Sequence, residues 1–381
     1  MRNAGEKRLQ NMVALLCTLV FAVFSFVFLV VYKSAEIEVV YDYVATGRLN
    51  FNAYLVSGIT TAVLSGLALW LNRYAGFRRE WTAMAFLPSS LILAFVTDID
   101  RAIFVGGVNY VVWLWVIALG LLFFFFSSFV LNRVLFEKIK DPSMVLNRIM
   151  WRNLILFVLL FTGVGYLSGG DKNFRREALQ YKFLKAGDID AALSVGKHSP
   201  VASPQFTAQR AFLLSLKGAL AENFFEYPLY AGSESLLPSI RRDAPIESDT
   251  IYSHIGISRN EGECAIDYLT RALSDENNAV AREFYLTALL ADRRLVDFAD
   301  MVFEFYNTGA VGTLPKHFKE ALLLYTFIIP DFGVKIDAPE MAQRFAAMVE
   351  CARGCGSDAA ASYLLYPSYG DTYWWYFLYG D

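Results

Sequence analysis

The residues in this sequence best suited to chemistry are two acidic pairs. Glu36-Ile37-Glu38, with Asp42 just beyond, and Asp98-Ile99-Asp100 each place two carboxylates two residues apart in short connections between apolar runs. Carboxylates at a bilayer edge could hold a divalent cation and, through it, a phosphate. Glu36, Glu38, Asp98 and Asp100 are therefore the candidate metal ligands, against the preferred expectation that they are ordinary polar loop ends. The three histidines, His198, His254 and His317, show no metal-ligand or catalytic spacing, and the tail has no G-x-S-x-G or H-E-x-x-H. Each histidine is expected to be solvated or capping, and no catalytic residue and no cofactor is assigned.

Cysteine chemistry is equally thin. Cys17 lies in the first apolar run and reads as inert. Cys264, Cys351 and Cys355 are odd in number, so no complete disulfide framework follows. Cys351 and Cys355 sit four apart, where both side chains splay along one helix face, although Gly354 could break the helix and permit a bridge. The least ordinary stretch is the end of the chain, where Tyr373, Trp374, Trp375, Phe377 and Tyr379 follow Tyr363, Tyr366 and Tyr369. So many rings predict a closing helix against the preceding helices, with Trp374, Phe377 and Leu378 inward and Trp375 and Tyr379 nearer water. Contact with a membrane interface, or a platform for a ligand or sugar, are the other roles these rings suit.

The elements that must position these residues fall in two parts. Apolar residues make up 56% of the 381, more than a soluble globular chain carries. Residues 1–168 hold 14 Lys+Arg against 9 Asp+Glu, and residues 169–381 hold 20 against 28. The basic part holds five apolar runs of bilayer length, at about 12–32, 53–71, 81–97, 108–131 and 152–168. The first lacks a cleavage site and reads as a retained signal anchor. In the second, Gly58, Ala62 and Gly66 form one stripe, read as a helix-packing surface within the bundle. Pro88 is expected to kink the third, and Arg152 to snorkel from the fifth.

Lys and Arg are rich in the first, third and fifth connecting segments (Arg2, Lys7, Arg8; Arg73, Arg78, Arg79; Arg133, Lys138, Lys140, Arg148, Arg152) and poor in the second and fourth (Lys33, Arg48; Arg101). That alternation predicts an N-terminus in the cytoplasm and, after five spans, a tail outside. No ionisable residue lies in the middle of a span, which disfavours a transporter. The acidic balance of the tail excludes nucleic acid as a partner.

The tail, residues 171–381, predicts helical pairs. Asn173 to Ala186 and Ile189 to Leu193 turn at Gly187; Ser203 to Leu216 and Ala219 to Tyr227 turn at Gly218, 31 residues later. Looser pairs follow at 279–306, turning near Asp292-Arg293-Arg294 and stopping at Asn307-Thr308-Gly309, and at 315–328 with 339–353. Residues 229–262, rich in Ser, Pro, Gly and charge, read as a long surface insertion.

The stretch Lys185-Ala186-Gly187-Asp188-Ile189-Asp190-Ala191-Ala192-Leu193, the small Ala178 and Ala192, and the closing Pro200 and Pro228 resemble tetratricopeptide repeats, without that family's early tryptophan and with the insertion interrupting the period. The whole layout, ending in Asp371-Thr372-Tyr373-Trp374-Trp375-Tyr376, also resembles uncharacterised multi-pass envelope proteins of Bacteroidetes-type bacteria. The position of the acidic pairs is similar to the outer-loop motifs of polytopic glycosyltransferases that use lipid-linked sugars, which usually have more spans. These resemblances imply a bacterial inner-membrane protein with a periplasmic helical-repeat tail. The expectation is an all-α chain, a five-span bundle followed by stacked helical hairpins, acting as a non-enzymatic scaffold that holds a protein partner at the lipid bilayer. The alternative is a component or enzyme of envelope glycan assembly.

Overall fold

The structure is a computed structural model that describes residues 4–45, 50–105, 110–133, 142–197, 199, 202–230, 232–238, 245–275, 277–306, 314–329 and 338–380. Arg2, Arg48, Val108, Lys138, Lys140, His198, Pro200 and Asn307-Thr308-Gly309, which enter the sequence reading, lie outside these residues. The described chain is helical, and no strand occurs among the described residues. It divides into two compact units, Met1–Ala178 and Leu179–Asp381.

The first unit contains α1 (Ala4–Val27), ending in a π-turn at Phe28–Tyr32, then α2 (Ser34–Ala45) and α3 (Ala53–Ala75). A 3-10 segment, Arg79–Phe86, leads into α4 (Leu87–Thr97), and α5 (Ala102–Val105), α6 (Tyr110–Arg133) and α7 (Pro142–Leu167) follow. Five helices here are long and apolar enough to cross a bilayer: Arg8–Tyr32, Ala53–Ala75, Arg79–Thr97, Val111–Val130 and Asn147–Leu167. The third is the least apolar and the most enclosed, because its neighbours are α1, α3, α6 and α7. Ala83, Ala85, Phe86, Leu93 and Ala94 on it are buried, while Leu15, Ile59, Leu122, Phe126 and Leu159 on its neighbours face outward. An apolar outer surface over an interior that mixes alanines with large rings such as Phe21, Phe86 and Phe157 suits hydrocarbon surroundings.

Two expectations for this unit are corrected. Pro88 does not kink a continuous helix; it occupies the first turn of α4, where its missing N–H needs no partner. Gly58, Ala62 and Gly66 do not pack in the bundle. A side chain built at Gly58 or Gly66 meets nothing within 4 Å, and the neighbouring stripe of Ser57, Thr61, Ser65 and Ala68 is buried instead. Ser89 on α4 donates to the Leu64 carbonyl at 2.9 Å across that interface. Small serine and threonine side chains allow close approach as glycine does, and Ser89 adds a hydrogen bond across the interface.

In the second unit, α8 (Lys172–Lys185), within which the division falls, turns into α9 (Ile189–Ser194). Next come α10 (Pro204–Leu216), α11 (Leu220–Asn223), α12 (Ser248–Ile255), α13 (Ala265–Ala272), α14 (Ala279–Ala291) and α15 (Leu295–Phe305). The chain ends with α16 (Lys316–Ile328), α17 (Pro339–Arg353), α18 (Asp358–Tyr369) and α19 (Tyr373–Tyr379). Ser203, Asn278, Ser357 and Thr372 cap their helices by accepting a backbone N–H three residues on.

Three turns share one geometry. Asp188 N–H bonds the Phe183 carbonyl, Ala219 the Leu214 carbonyl and Arg294 the Leu289 carbonyl, each across a residue with positive φ. These are Schellman-type stops at Gly187, Gly218 and Arg293. Arg293 holds φ 58° without being glycine, and its guanidinium lies over the Tyr376 ring, 5.7 Å from the centroid.

The described part of residues 229–262, namely 229–230, 232–238 and 245–262, is not a surface excursion. A 3-10 turn at Ser233–Leu236 packs on α10, α13 and α14, and Leu236, Leu237, Ile246, Ile251 and Ile255 are buried. Asp292 accepts the Ser233 N–H at 2.6 Å, and Glu234 accepts from Ala265 N–H and from Arg259. The stretch is polar because its side chains tie down irregular backbone, which must satisfy its own groups when buried. Helix α13, absent from the sequence reading, follows directly.

Candidate functional site

The aromatic end of the chain builds the most developed surface of the second unit. Glu320 on α16, itself buried, anchors it: its Oε2 accepts the Tyr373 N–H at 2.8 Å and the Nδ1–H of His317 at 2.9 Å, and its main-chain carbonyl accepts the Trp374 indole N–H at 2.7 Å. The Tyr373 and Tyr376 hydroxyls donate to the carbonyls of Leu290 and Ala291 at the end of α14. Tyr373, Trp374 and Tyr376 are consequently buried, with Phe225 against Tyr373 and Tyr376, and Phe345 against Trp374. The α18–α19 turn is clamped by Arg344, which bonds Asp371 and the Ser368 carbonyl, and by Lys316, which bonds Asp371 and Glu226. Burial works to raise the Asp371 pKa, but the Arg344 hydrogen bond and the two positive charges outweigh it and hold the carboxyl below its ordinary value.

This arrangement differs from the expected sidedness. Trp374 is inward and Trp375 and Tyr379 are half-buried, but Leu378 is 47% exposed and Phe377 only half-buried, while Tyr373 and Tyr376 take the inner positions. Helix α19 is held by α14 on one side and α16 on the other, so successive residues are enclosed and no single stripe decides burial. The helix is also more central than a terminal cap.

Outside this anchored core lies an open groove of about 900 Å³ between α18, α19 and the chain at Phe225–Leu229. Helix α18 buries Ala361 and Leu365, which leaves Tyr363, Leu364 and Tyr366 outward along the groove. Trp375 forms its centre: its ring lies 4.9 Å from Tyr366 and 6.5 Å from Tyr379, and its indole N–H is fixed on the Ser362 carbonyl at 3.2 Å. Tyr227 and Pro228 line the opposite wall, and Asp358 is the one charged side chain among the described residues of the lining. Burial and then the nearby Asp358 carboxylate raise the Tyr379 pKa, so its hydroxyl keeps its proton at neutral pH. Sequence reading singled out the rings of α18 and α19 but not Tyr227 or Asp358. Tyr227 lies far from them in sequence and carries no local signal.

The acidic pairs do not assemble a metal centre. Glu36 and Glu38 lie on α2, not in a loop, and residues two apart on a helix point away from each other. Glu36 is buried against buried Lys33 at 3.3 Å, and its ordinary value is raised, first by burial, with Lys33 and Arg175 opposing. Glu38 is half-buried. Asp98 accepts the Trp113 indole N–H at 2.7 Å, and Asp100 accepts the Ala102 N–H at the start of α5. Among the described residues no three His, Cys, Asp or Glu side chains come together to hold a metal ion.

Other polar groups have structural partners. Arg101 bonds both oxygens of buried Glu177, and Glu80 joins Arg148 and Arg152, whose guanidinium also lies over Trp81. Arg152 is therefore an ion-pair member. His317 is buried in the core and is not a solvated side chain, whereas His254 is half-buried in the last turn of α12, on Ser215, with its pKa lowered by burial. Cys264, Cys351 and Cys355 are free thiols, and Cys264 caps α13.

The fold defines an all-helical chain with five membrane-length apolar helices followed by a helical unit that carries an aromatic groove. Residues 260–380, from the loop before α13 through α19, match a family described as "Family of unknown function (DUF6057)". The groove's rings on α18 and α19 and the anchor Glu320 all fall within that match. No curated protein and no solved structure matches the chain.

Proposed function

We propose that this chain is a membrane-anchored interaction protein of the bacterial cell envelope, which binds a protein partner through its C-terminal helical unit. The observation that carries this reading is the groove: a wide aromatic surface on a support in which the buried Tyr373, Trp374 and Tyr376 rings are each fixed by a hydrogen bond. Tyrosine and tryptophan supply large contact area at small entropic cost, which is why interfaces favour them. The three shared turns support a tetratricopeptide-like stacking of pairs, an architecture generally used for protein binding. The alternation of basic and poor connecting segments supports a cytoplasmic N-terminus and a periplasmic tail.

The alternative reading, an enzyme of glycan assembly, loses support because Glu36, Asp98 and Asp100 are each held by neighbouring groups. A photocrosslinking residue at position 363, in intact cells, tests the proposal. A discrete protein adduct that is lost when α19 is deleted is the expected result. Recovery of lipid-linked sugar instead, with loss of function in Glu38→Ala or Asp100→Ala, would replace the scaffold by the enzyme. Topology is checked in a chain whose native cysteines are replaced and Thr250→Cys introduced. Labelling only after the inner membrane is lysed would overturn the periplasmic assignment.

A further inference from the structure

We infer that the groove takes an extended, proline-rich peptide segment that carries a lysine or arginine. This deepens the reading of the tail as a protein-binding unit and rests on it. The argument starts from what the groove lacks. It has no strand edge, and among the described residues there is no strand, so a peptide cannot bind by adding to a sheet. The backbone N–H groups of α18 and α19 beyond their first turns are used within the helices, so along those two walls an occupant's main chain must find side-chain partners.

The partners present include hydroxyls, which can donate. Tyr227, Tyr363 and Tyr379 line the groove, while Asp358 supplies the one charged acceptor among the described lining residues. A polyproline II segment matches that inventory, because its carbonyls project free for acceptance and its prolines have no N–H left to satisfy. Ring geometry points the same way. Trp375 meets Tyr366 at 64° and Tyr379 at 48°, so neighbouring rings stand at steep angles with slots between them in place of one flat face. Flat, rigid pyrrolidine rings fit such slots, and the pre-formed helix loses little entropy on docking.

A glycan suits the same rings less well. Sugar hydroxyls need dense bidentate partners, and among the described residues the lining contains no Asn, Gln, Arg, Lys or His. Charge complementarity sets the final feature. Asp358 is exposed and is the one charged side chain among the described lining residues, so a basic residue flanking the prolines is drawn to that end.

The test uses the full chain in detergent micelles and the fluorescence anisotropy of a labelled proline decamer with one flanking arginine. Saturable binding is expected, weakened about tenfold by Tyr363→Ala and about tenfold when the peptide's arginine becomes glutamate. Asp358→Lys should invert that charge preference. Tyr363 is 82% exposed, so its replacement leaves the fold intact, and an unchanged melting temperature verifies this. The peptide charge reversal requires no change in the protein. Absence of saturable binding, equal binding of an alanine decamer, or selective binding of an N-acetylglucosamine tetramer that Tyr363→Ala removes would each overturn the inference. If the proline peptide fails while a crosslinker elsewhere on the tail still captures a protein, the inference falls and the protein-binding reading stands.

Discussion

Replacing Trp374 by alanine removes the largest fully buried side chain in the described structure. Its ring packs 5.0 Å from Phe345, and its indole N–H donates to the Glu320 carbonyl at 2.7 Å. Loss of a buried tryptophan costs roughly 3–5 kcal/mol, from lost transfer energy and the cavity left behind. Trp374→Phe keeps most of the packing but forfeits the hydrogen bond, which should cost about 1–2 kcal/mol. Trp375→Ala removes a half-buried ring at the groove and should cost less than Trp374→Ala, since part of that ring is already in water. Urea-dependent proteolysis of the C-terminal unit, in the full chain held in detergent, reads these differences. With a slope of about 2 kcal/mol per molar, a loss of about 4 kcal/mol moves the midpoint down by about 2 M. A Trp374→Ala shift under about 0.5 M on that slope, or a Trp375→Ala shift equal to it, would refute the view that α19 is anchored through Glu320.

Arg293→Gly should leave the second unit more stable than Arg293→Ala by about 1 kcal/mol, because both lose the Tyr376 contact but only glycine relieves the left-handed backbone; equal midpoints would contradict this. The Glu263 pKa is lowered to about 2, chiefly by the hydrogen bond from Arg271. The unfolded chain therefore binds more protons between about pH 4.5 and 2, so the Glu263 contribution is complete above that range and is lost as pH falls through it. Glu263→Gln should flatten the acid limb of a stability profile in that window, and an unchanged profile would count against the Arg271 pair. For the buried Lys33–Glu36 pair, either single replacement by an apolar residue strands a charge and should cost about 3–5 kcal/mol, whereas Lys33→Met with Glu36→Leu should be nearer neutral. Thermal unfolding of the detergent-held protein checks the ranking, and stabilisation of the native chain by added Mg²⁺ or Mn²⁺, lost in Glu36→Leu, would restore the metal-site reading.

Legibility in the sequence followed the range of the interactions involved. The five membrane-length helices could be read directly, because a run of apolar residues answers to lipid thickness and needs no partner. The helix start at Ser203 and the stops at Gly187 and Gly218 were equally local: a cap or a left-handed turn is set by the residue type at that position. What decided the rest was contact between residues far apart in the chain. Glu36 and Glu38 resemble a ligand pair only until α2 turns them apart and Lys33 meets one of them. The stripe Gly58, Ala62 and Gly66 competes with Ser57, Thr61 and Ser65 one step round the same helix, and the position of α4 selects the second. Residues 229–262 are polar by composition, yet their few apolar side chains enter the core because α10, α13 and α14 leave room for them. In the closing helix, ring bulk alone announced burial. Which rings go inward was set by Glu320, Leu290 and Ala291, residues more than 50 positions away whose carbonyls and carboxylate take the Tyr and Trp hydrogens. A periodic pattern records what one segment needs from its surroundings; which segment supplies it is settled only when the chain has folded.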